Sequence, residues 1–275
     1  MPLETEVATH YARDGLETAI LAALRQAGKD PDRLVPADLS PVDEFHVGGR
    51  EATIELAERM GLAPGQALLD IGSGLGGASR HFAGDHGCHV SGIDLTEDYV
   101  RVATALARRV GLDDRVDYTQ ASALALPFPA GRFDAATLMH VGMNIADKPA
   151  LFAEVRRVLK PGAVFGIYDV MRIGDGELTY PVPWASGPET SALATPAAYR
   201  RALTDAGFTV TAERDRRDFA IDSFHRQQAR IAEQGRPPLG LHLVMGPEAG
   251  RKIAHLAAAI EAGVVAPVEM ICRAI

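Results

Sequence analysis

Two cysteines in 275 residues cannot build a disulfide framework, and His86 and His89, which flank Cys88, straddle a turn and a strand and are not read as metal ligands. Cys88 and Cys272 read as buried thiols of a reducing compartment, so the expectation is a cytoplasmic protein without a metal site. Long apolar runs are also missing. The most apolar C-terminal stretch, 253–275, is broken by His255, Glu261, Pro267 and Glu269, which excludes a bilayer span. The opening MPLETEVATH lacks the basic-then-apolar order of a secretory leader. Positive charge is scarce: 28 Lys and Arg stand against 36 Asp and Glu, a net charge of −8, with the basic residues scattered. Nucleic acid is therefore not an expected partner. No repeat or low-complexity tract occurs, and there is a single tryptophan, Trp184.

What remains is an ordinary globular composition, 47% apolar and 23% charged, long enough to bury a sizeable core. Apolar residues at Val7, Tyr11, Ile20 and Leu24, with Gly28 as a stop, predict a helix over 5–27. Three prolines and several aspartates predict an irregular connection over 29–47, followed by a helix over 50–60. The pattern then becomes regular. Strands are predicted at 67–71, 89–93, 115–120, 133–139 and 163–170, with helices at about 76–87, 97–110 and 148–159 separating most of them. Such alternation means an α/β fold with a parallel sheet covered on both faces. Residues 171–194 are too rich in proline for a core element. A helix (196–206), a strand (207–213), helices at 219–234 and 247–262, and a strand at 264–273 complete the chain.

The expected organisation is a single domain over 1–275. Its parts are an N-terminal helical lid (1–47), a cofactor-binding core (48–170), cap segments (171–194 and 214–262), and the rest of the core (195–213 and 263–275).

The stretch LLDIGSGLGGASRHF (68–82) places Gly72, Gly74 and Gly77 after an apolar run, with Gly76 between them. Glycines here permit a sharp turn and close approach of backbone to a ligand, ahead of a helix N-terminus. The pattern alone is weak and is shared by dinucleotide, flavin and nucleoside sites. Two carboxylates sharpen it. Asp70 precedes the loop, where it would repel a pyrophosphate but attract an ammonium. Asp94 ends the next strand, where a carboxylate can accept both hydroxyls of a ribose. A ligand with an ammonium and a ribose but no phosphate fits, and S-adenosyl-L-methionine, with S-adenosyl-L-homocysteine as its product, is such a ligand.

Several segments carry a family resemblance: DEFHVGG (43–49), LLDIGSGLGG (68–77), VSGIDLT (90–96), ALPFPAGRFDAA (125–136), MNIADK (143–148), RVLKPGA (157–163) and PVPWA (181–185). With them the chain resembles class I S-adenosylmethionine-dependent methyltransferases, most closely the branch of sarcosine/dimethylglycine and natural-product small-molecule methyltransferases. The resemblance implies a Rossmann-like, seven-stranded, mostly parallel sheet whose last strand is antiparallel. It also implies that Asp70, Gly72, Ser73, Gly74 and Gly76 hold the methionine portion, that Asp94 binds the ribose, and that Leu95 lies beside the adenine. Relatives usually carry an aspartate for the adenine amino group where this chain has Ser122. Ser122 would then accept that bond without charge, beside Ala123, or serve only as a cap or turn residue. Tyr11, His10 and His46 belong to N-terminal elements that fold over the cofactor in that family.

Methyl transfer asks little of the protein beyond in-line placement, desolvation and, for a hydroxyl or ammonium acceptor, a base. His140, ending the strand at 133–139, is the first candidate base and a cofactor neighbour; its alternative is a half-buried histidine bonded to backbone. Asp169 can orient an acceptor or simply cap a turn. Asn144 stands where relatives often place a histidine, which shifts the expected role toward His140 or positioning alone. His46, Asn144 and Trp184 are the candidate acceptor contacts, the indole by its aromatic face or by cation–π attraction. The expected function is methyl transfer to an O, N or C atom of a small molecule. The alternatives are a nucleotide-dependent oxidoreductase using the loop for NAD(P) and a non-catalytic S-adenosylmethionine-binding protein.

Overall fold

Among the described residues, four helices precede the first strand: α1 (Leu3–Tyr11), α2 (Leu16–Gln26), α3 (Pro36–Asp43) and α4 (Gly49–Met60). A computed structural model describes residues 3–11 and 15–275. The single helix predicted over 5–27 is thus two, with residues 12–14 outside the described set and Gly15 at φ 68° heading the second. The segment expected to be irregular, 29–47, contains α3, started by Pro36, whose fixed φ suits a first helical turn.

The core then alternates: β1 (Ala67–Ile71), α5 (Gly77–Gly84), β2 (His89–Asp94), α6 (Glu97–Arg109), β3 (Val116–Gln120), β4 (Phe133–Met139), α7 (Lys148–Val158) and β5 (Leu159–Arg172). Next come α8 (Pro196–Asp205), β6 (Phe208–Asp215), α9 (Arg217–Gln234), α10 (His242–Met245), α11 (Ala249–Glu261) and β7 (Val265–Ala274). The sheet order is β3-β2-β1-β4-β5-β7-β6. β1 to β5 pair in parallel, and β7 runs antiparallel to both neighbours.

Adjacent residues of one strand point to opposite faces. Leu68 therefore packs with Leu56, Met60 and Phe82 on one side of the sheet. Leu69 and Ile71 pack with Leu151, Phe152 and Leu203 on the other. Both faces are covered, so β1 is apolar throughout apart from Asp70 near its C-terminal end. In α6, Tyr99, Val102, Ala103, Leu106 and Ala107 make the buried stripe, with Glu97 and Asp98 at the N-terminal end and Arg108 and Arg109 at the C-terminal end of the helix dipole. Asp147 caps α7 by accepting the Ala150 N–H at 2.9 Å, and Thr195 caps α8 through the Ala198 N–H at 3.2 Å. α9 is 18 residues long yet buries only Ala220.

Among the described residues, no helix is long and apolar enough to cross a membrane. Cys88 and Cys272 are buried free thiols, and no three His, Cys, Asp or Glu side chains converge as a metal site among the described residues.

Candidate active site

The C-terminal ends of β1, β2 and β4 open on a cavity of about 440 Å³, covered by α1, the 43–47 segment and α11. This is where the crevice of an open parallel sheet receives ligands. At Gly72 (φ 71°) a Cβ would collide with Val141, and at Gly76 (φ 81°) with the Tyr118 hydroxyl and Arg80. Both positions therefore need glycine for shape as well as conformation. Gly72, Ser73 and Gly74 line the cavity. Gly76, expected among them, stands outside the lining and makes the turn into α5, because the chain has already swung away from the cavity floor.

Asp70 is 2% exposed. Its carboxylate accepts the hydroxyls of Ser79 at 2.5 Å and Thr137 at 2.9 Å. Burial raises its pKa against those two bonds, and no cation pairs with it among the described residues. A carboxylate offers about four acceptor sites, so capacity remains for a cationic donor. Asp94 accepts the N–H of Gly74 and of Thr96, each at 2.9 Å, and burial raises its pKa likewise. Between the two carboxylates, the buried Ser73 Oγ has no partner among the described residues. Two desolvated carboxylates and an unmet hydroxyl along a glycine cradle fit an ammonium and a diol, and they oppose a pyrophosphate.

Leu95 and Ala123 line the cavity as expected; Ser122 does not. Its hydroxyl donates to Glu4 of α1 and accepts the Leu124 N–H at 3.0 Å. Ser122 is thus a turn residue, because the tight 121–125 turn directs its Oγ back to its own backbone and outward to α1.

His140 reaches the cavity at φ 53°, the one non-glycine residue with positive φ among those described. Such a conformation costs about 1–3 kcal/mol and persists only where its surroundings enforce it. Here its backbone N–H donates to Tyr168 C=O at 2.7 Å and its Nδ1–H to the same carbonyl at 3.1 Å. Its Nε2 accepts the Val47 N–H at 3.3 Å. Burial lowers its pKa to about 3, helped by His46 and opposed by the Tyr168 carbonyl. With both ring nitrogens engaged by backbone, the geometry gives His140 a positioning part and does not support its use as a base.

His46 is arranged differently. Its Nε2–H donates to Gly49 C=O at 2.9 Å, beside the Thr53 hydroxyl at 2.9 Å, and Thr53 in turn donates to Glu44 at 2.8 Å. This fixes the tautomer and leaves Nδ1 as a lone pair without a hydrogen-bond partner among the described residues. Burial lowers the His46 pKa to about 4, whereas burial and the Asp43 charge push Glu44 up to about 8. The two face each other at 3.5 Å, where burial disfavours the charged form of each.

Asn144 does not face an acceptor with its amide. Its Nδ2 donates to the carbonyls of Trp184 (2.9 Å) and Thr190 (3.1 Å), and its Oδ1 accepts the Tyr11 hydroxyl at 3.3 Å. It ties α1 to the 180–191 insertion. Trp184 lines the cavity, 1% exposed, with Nε1–H donated to Ser191 at 3.0 Å. Asp169, expected to be catalytic, lies outside the lining. It accepts the Tyr199 hydroxyl at 2.6 Å and the Val170 N–H at 3.0 Å, and burial lifts its pKa to about 6. Its side chain is fully buried in the core, against Tyr199 of α8.

Sequence reasoning missed Glu4 and Lys252. Lys252, 5% exposed, lines the cavity from α11, with Nζ 3.5 Å from His10 Nε2. Its signal was present: Ala249, Lys252, Leu256 and Ile260 share one helix face, so a cation sits on an apolar stripe.

Residues 69–167 match the family described as "Methyltransferase domain". The chain belongs to the class I S-adenosylmethionine-dependent methyltransferases. It is 34% identical over 192 residues to phosphoethanolamine N-methyltransferase 1 of Arabidopsis thaliana, covering 68% of this chain and 38% of that protein. It is 36% identical over 114 residues to a sterol 24-C-methyltransferase of Gibberella zeae, covering 42% of this chain and 30% of that one. The chain spans less than half the length of these curated relatives. Among solved structures, the 4+2 cyclase SpnF superposes with a TM-score of 0.65 at 25% identity, over 94% of this chain and 95% of that one.

Proposed function

We propose that this protein is a cytoplasmic S-adenosylmethionine-dependent methyltransferase acting on an O, N or C atom of a small, largely apolar molecule. The observation that carries the reading is the pair of buried carboxylates, Asp70 and Asp94, flanking the glycine cradle without cationic partners. When bound, S-adenosylmethionine supplies a methyl group on a sulfonium centre. Asp70 would take the ammonium, the Gly72–Gly74 backbone and Ser73 the rest of the amino-acid portion, and Asp94 the ribose hydroxyls. Tyr11 and Asn144 latch α1 down and exclude water. Met139, Met143, Val47, Trp184 and Leu256 surround the space beyond and favour an apolar acceptor. His46 Nδ1 is the lone pair placed to accept a hydroxyl proton. Its weak basicity suffices when the proton leaves together with methyl transfer, since a methylated hydroxyl is a far stronger acid than an imidazolium.

The test is calorimetry with S-adenosylhomocysteine, followed by a mass-spectrometric screen of small molecules for a methyl gain. No binding in the first step would overturn the reading. A second reading, a chain that holds the cofactor without transferring its methyl, is favoured by the likeness to SpnF, whose described activity is a cyclisation. Tight cofactor binding with no methylated product across the screen would support it.

A further inference from the structure

Beyond Asp94 the cavity runs between the 121–124 turn and α1. The turn is closed by three bonds: Ala121 N–H to Asp94 C=O (3.0 Å), Leu124 N–H to Ser122 Oγ (3.0 Å) and Ala125 N–H to Ser122 C=O (3.2 Å). Between them, the N–H of Ala123 has no partner among the described residues, although Ala123 is 8% exposed and lines the cavity. Buried backbone donors are seldom left unpaired, so this one is built to meet an acceptor within the cavity.

A side-chain acceptor lies next to it. α1 presents Glu4, Val7, His10 and Tyr11 to the cavity, and the Ser122 hydroxyl donates to the Glu4 carboxylate. That bond anchors an acceptor one residue from the unpaired donor. A donor beside an acceptor complements the edge of a purine that shows a ring-nitrogen acceptor beside an amino group, which is adenine. A 6-oxo purine shows the reverse pattern and would set its oxygen against the carboxylate. We propose that Glu4, on the N-terminal helix, is the residue that reads the base, accepting from the adenine amino group while the Ala123 N–H donates to the neighbouring ring nitrogen. The inference rests on the cofactor reading above. It also makes base recognition a part of lid closure, because the acceptor rides on the lid helix and only the donor belongs to the core.

The experiment is calorimetry with S-adenosylhomocysteine and its 6-deamino analogue, in which hydrogen replaces the amino group. The Ala123 contact is common to both ligands, so their affinity ratio isolates the amino group. The wild-type protein should prefer S-adenosylhomocysteine about tenfold. Glu4→Ala should bring the ratio close to one, and Glu4→Gln, which keeps an acceptor, should retain part of the preference. Glu4 is exposed, so neither substitution disturbs the core. Loss of lid docking alone would weaken both ligands alike and leave the ratio unchanged, which overturns the assignment. A wild-type ratio of one also overturns it. Failure of the wild-type protein to bind S-adenosylhomocysteine at all overturns the cofactor reading, and this inference with it.

Discussion

The Val47 N–H donates to His140 Nε2 at 3.3 Å, so the imidazole that β4 carries to the cavity has no lone pair left for a substrate. The same bond pins the 43–47 segment over the site. His140 thus couples the lid to the sheet, and its positive φ is held by three bonds to Val47 and Tyr168.

Replacing His140 with alanine should lower stability by about 1–3 kcal/mol, the loss of two side-chain hydrogen bonds offset in part by removal of a buried imidazole. Replacing His46 with alanine should instead lower kcat for a hydroxyl acceptor by roughly 10²–10⁴-fold, with cofactor affinity nearly unchanged. Because the two pKa values are lowered to about 3 and about 4, neither histidine titrates near neutrality. The kcat profile of the wild-type protein should then show no histidine step between about pH 6 and 7. A His46→Ala protein with full kcat would end the base assignment.

Stability should respond to pH through opposing groups. Both histidines have folded pKa values below the unfolded value of 6.5, so their contribution is complete above that pH and is lost as pH falls toward 4 and 3. Glu44 is raised from 4.5 to about 8, so its contribution is complete below 4.5 and is lost as pH rises toward 8. Glu44→Gln, which keeps the neutral shape, should therefore raise Tm relative to wild type more at pH 8 than at pH 5. Equal shifts in Tm at both pH values would contradict a protonated Glu44.

Asp94→Ala should weaken S-adenosylhomocysteine binding roughly 30- to 150-fold through loss of two charge-assisted bonds to the ribose. It also frees the Gly74 and Thr96 N–H groups. Calorimetry that finds unchanged affinity would remove Asp94 from the site.

Asp169→Asn and Tyr199→Phe should act on stability and not on chemistry. Tyr199→Phe removes the buried 2.6 Å bond, and Asp169→Asn leaves one acceptor oxygen for the two donors Tyr199 and Val170, each at a cost of about 1–3 kcal/mol, while kcat per folded molecule stays near that of wild type. A severalfold fall in kcat at full folding, measured well below Tm, would return Asp169 to the mechanism.

Hydrogen exchange in the described parts of 1–47 and in 214–262 should slow when S-adenosylhomocysteine binds. α1 is latched by Tyr11 to Asn144, and α9 buries only Ala220, so these elements have the least packing to lose on opening. Protection spread evenly over sheet and lid would argue against a lid.

The sequence by itself determined the sheet, because strand and helix periods are local properties. ALLDI is apolar on both faces apart from Asp70, and Asp70 and Asp94 stand at the strand ends where ligands bind. The glycine loop was legible for the same reason: turns demand particular φ values of particular residues. Charge sign along that loop sufficed to separate an ammonium ligand from a pyrophosphate. The direction of a side chain at a strand end, and the partner it meets from a distant segment, are not local. His140 follows β4 and Asp169 lies near the C-terminal end of β5, yet one faces the cavity and the other the core. Val47, 93 residues away, occupies the His140 lone pair, and Glu4 meets Ser122 across 118 residues. These contacts exist only once the lid helices have packed over the sheet, so tertiary structure alone decided which residues of the site are free to act.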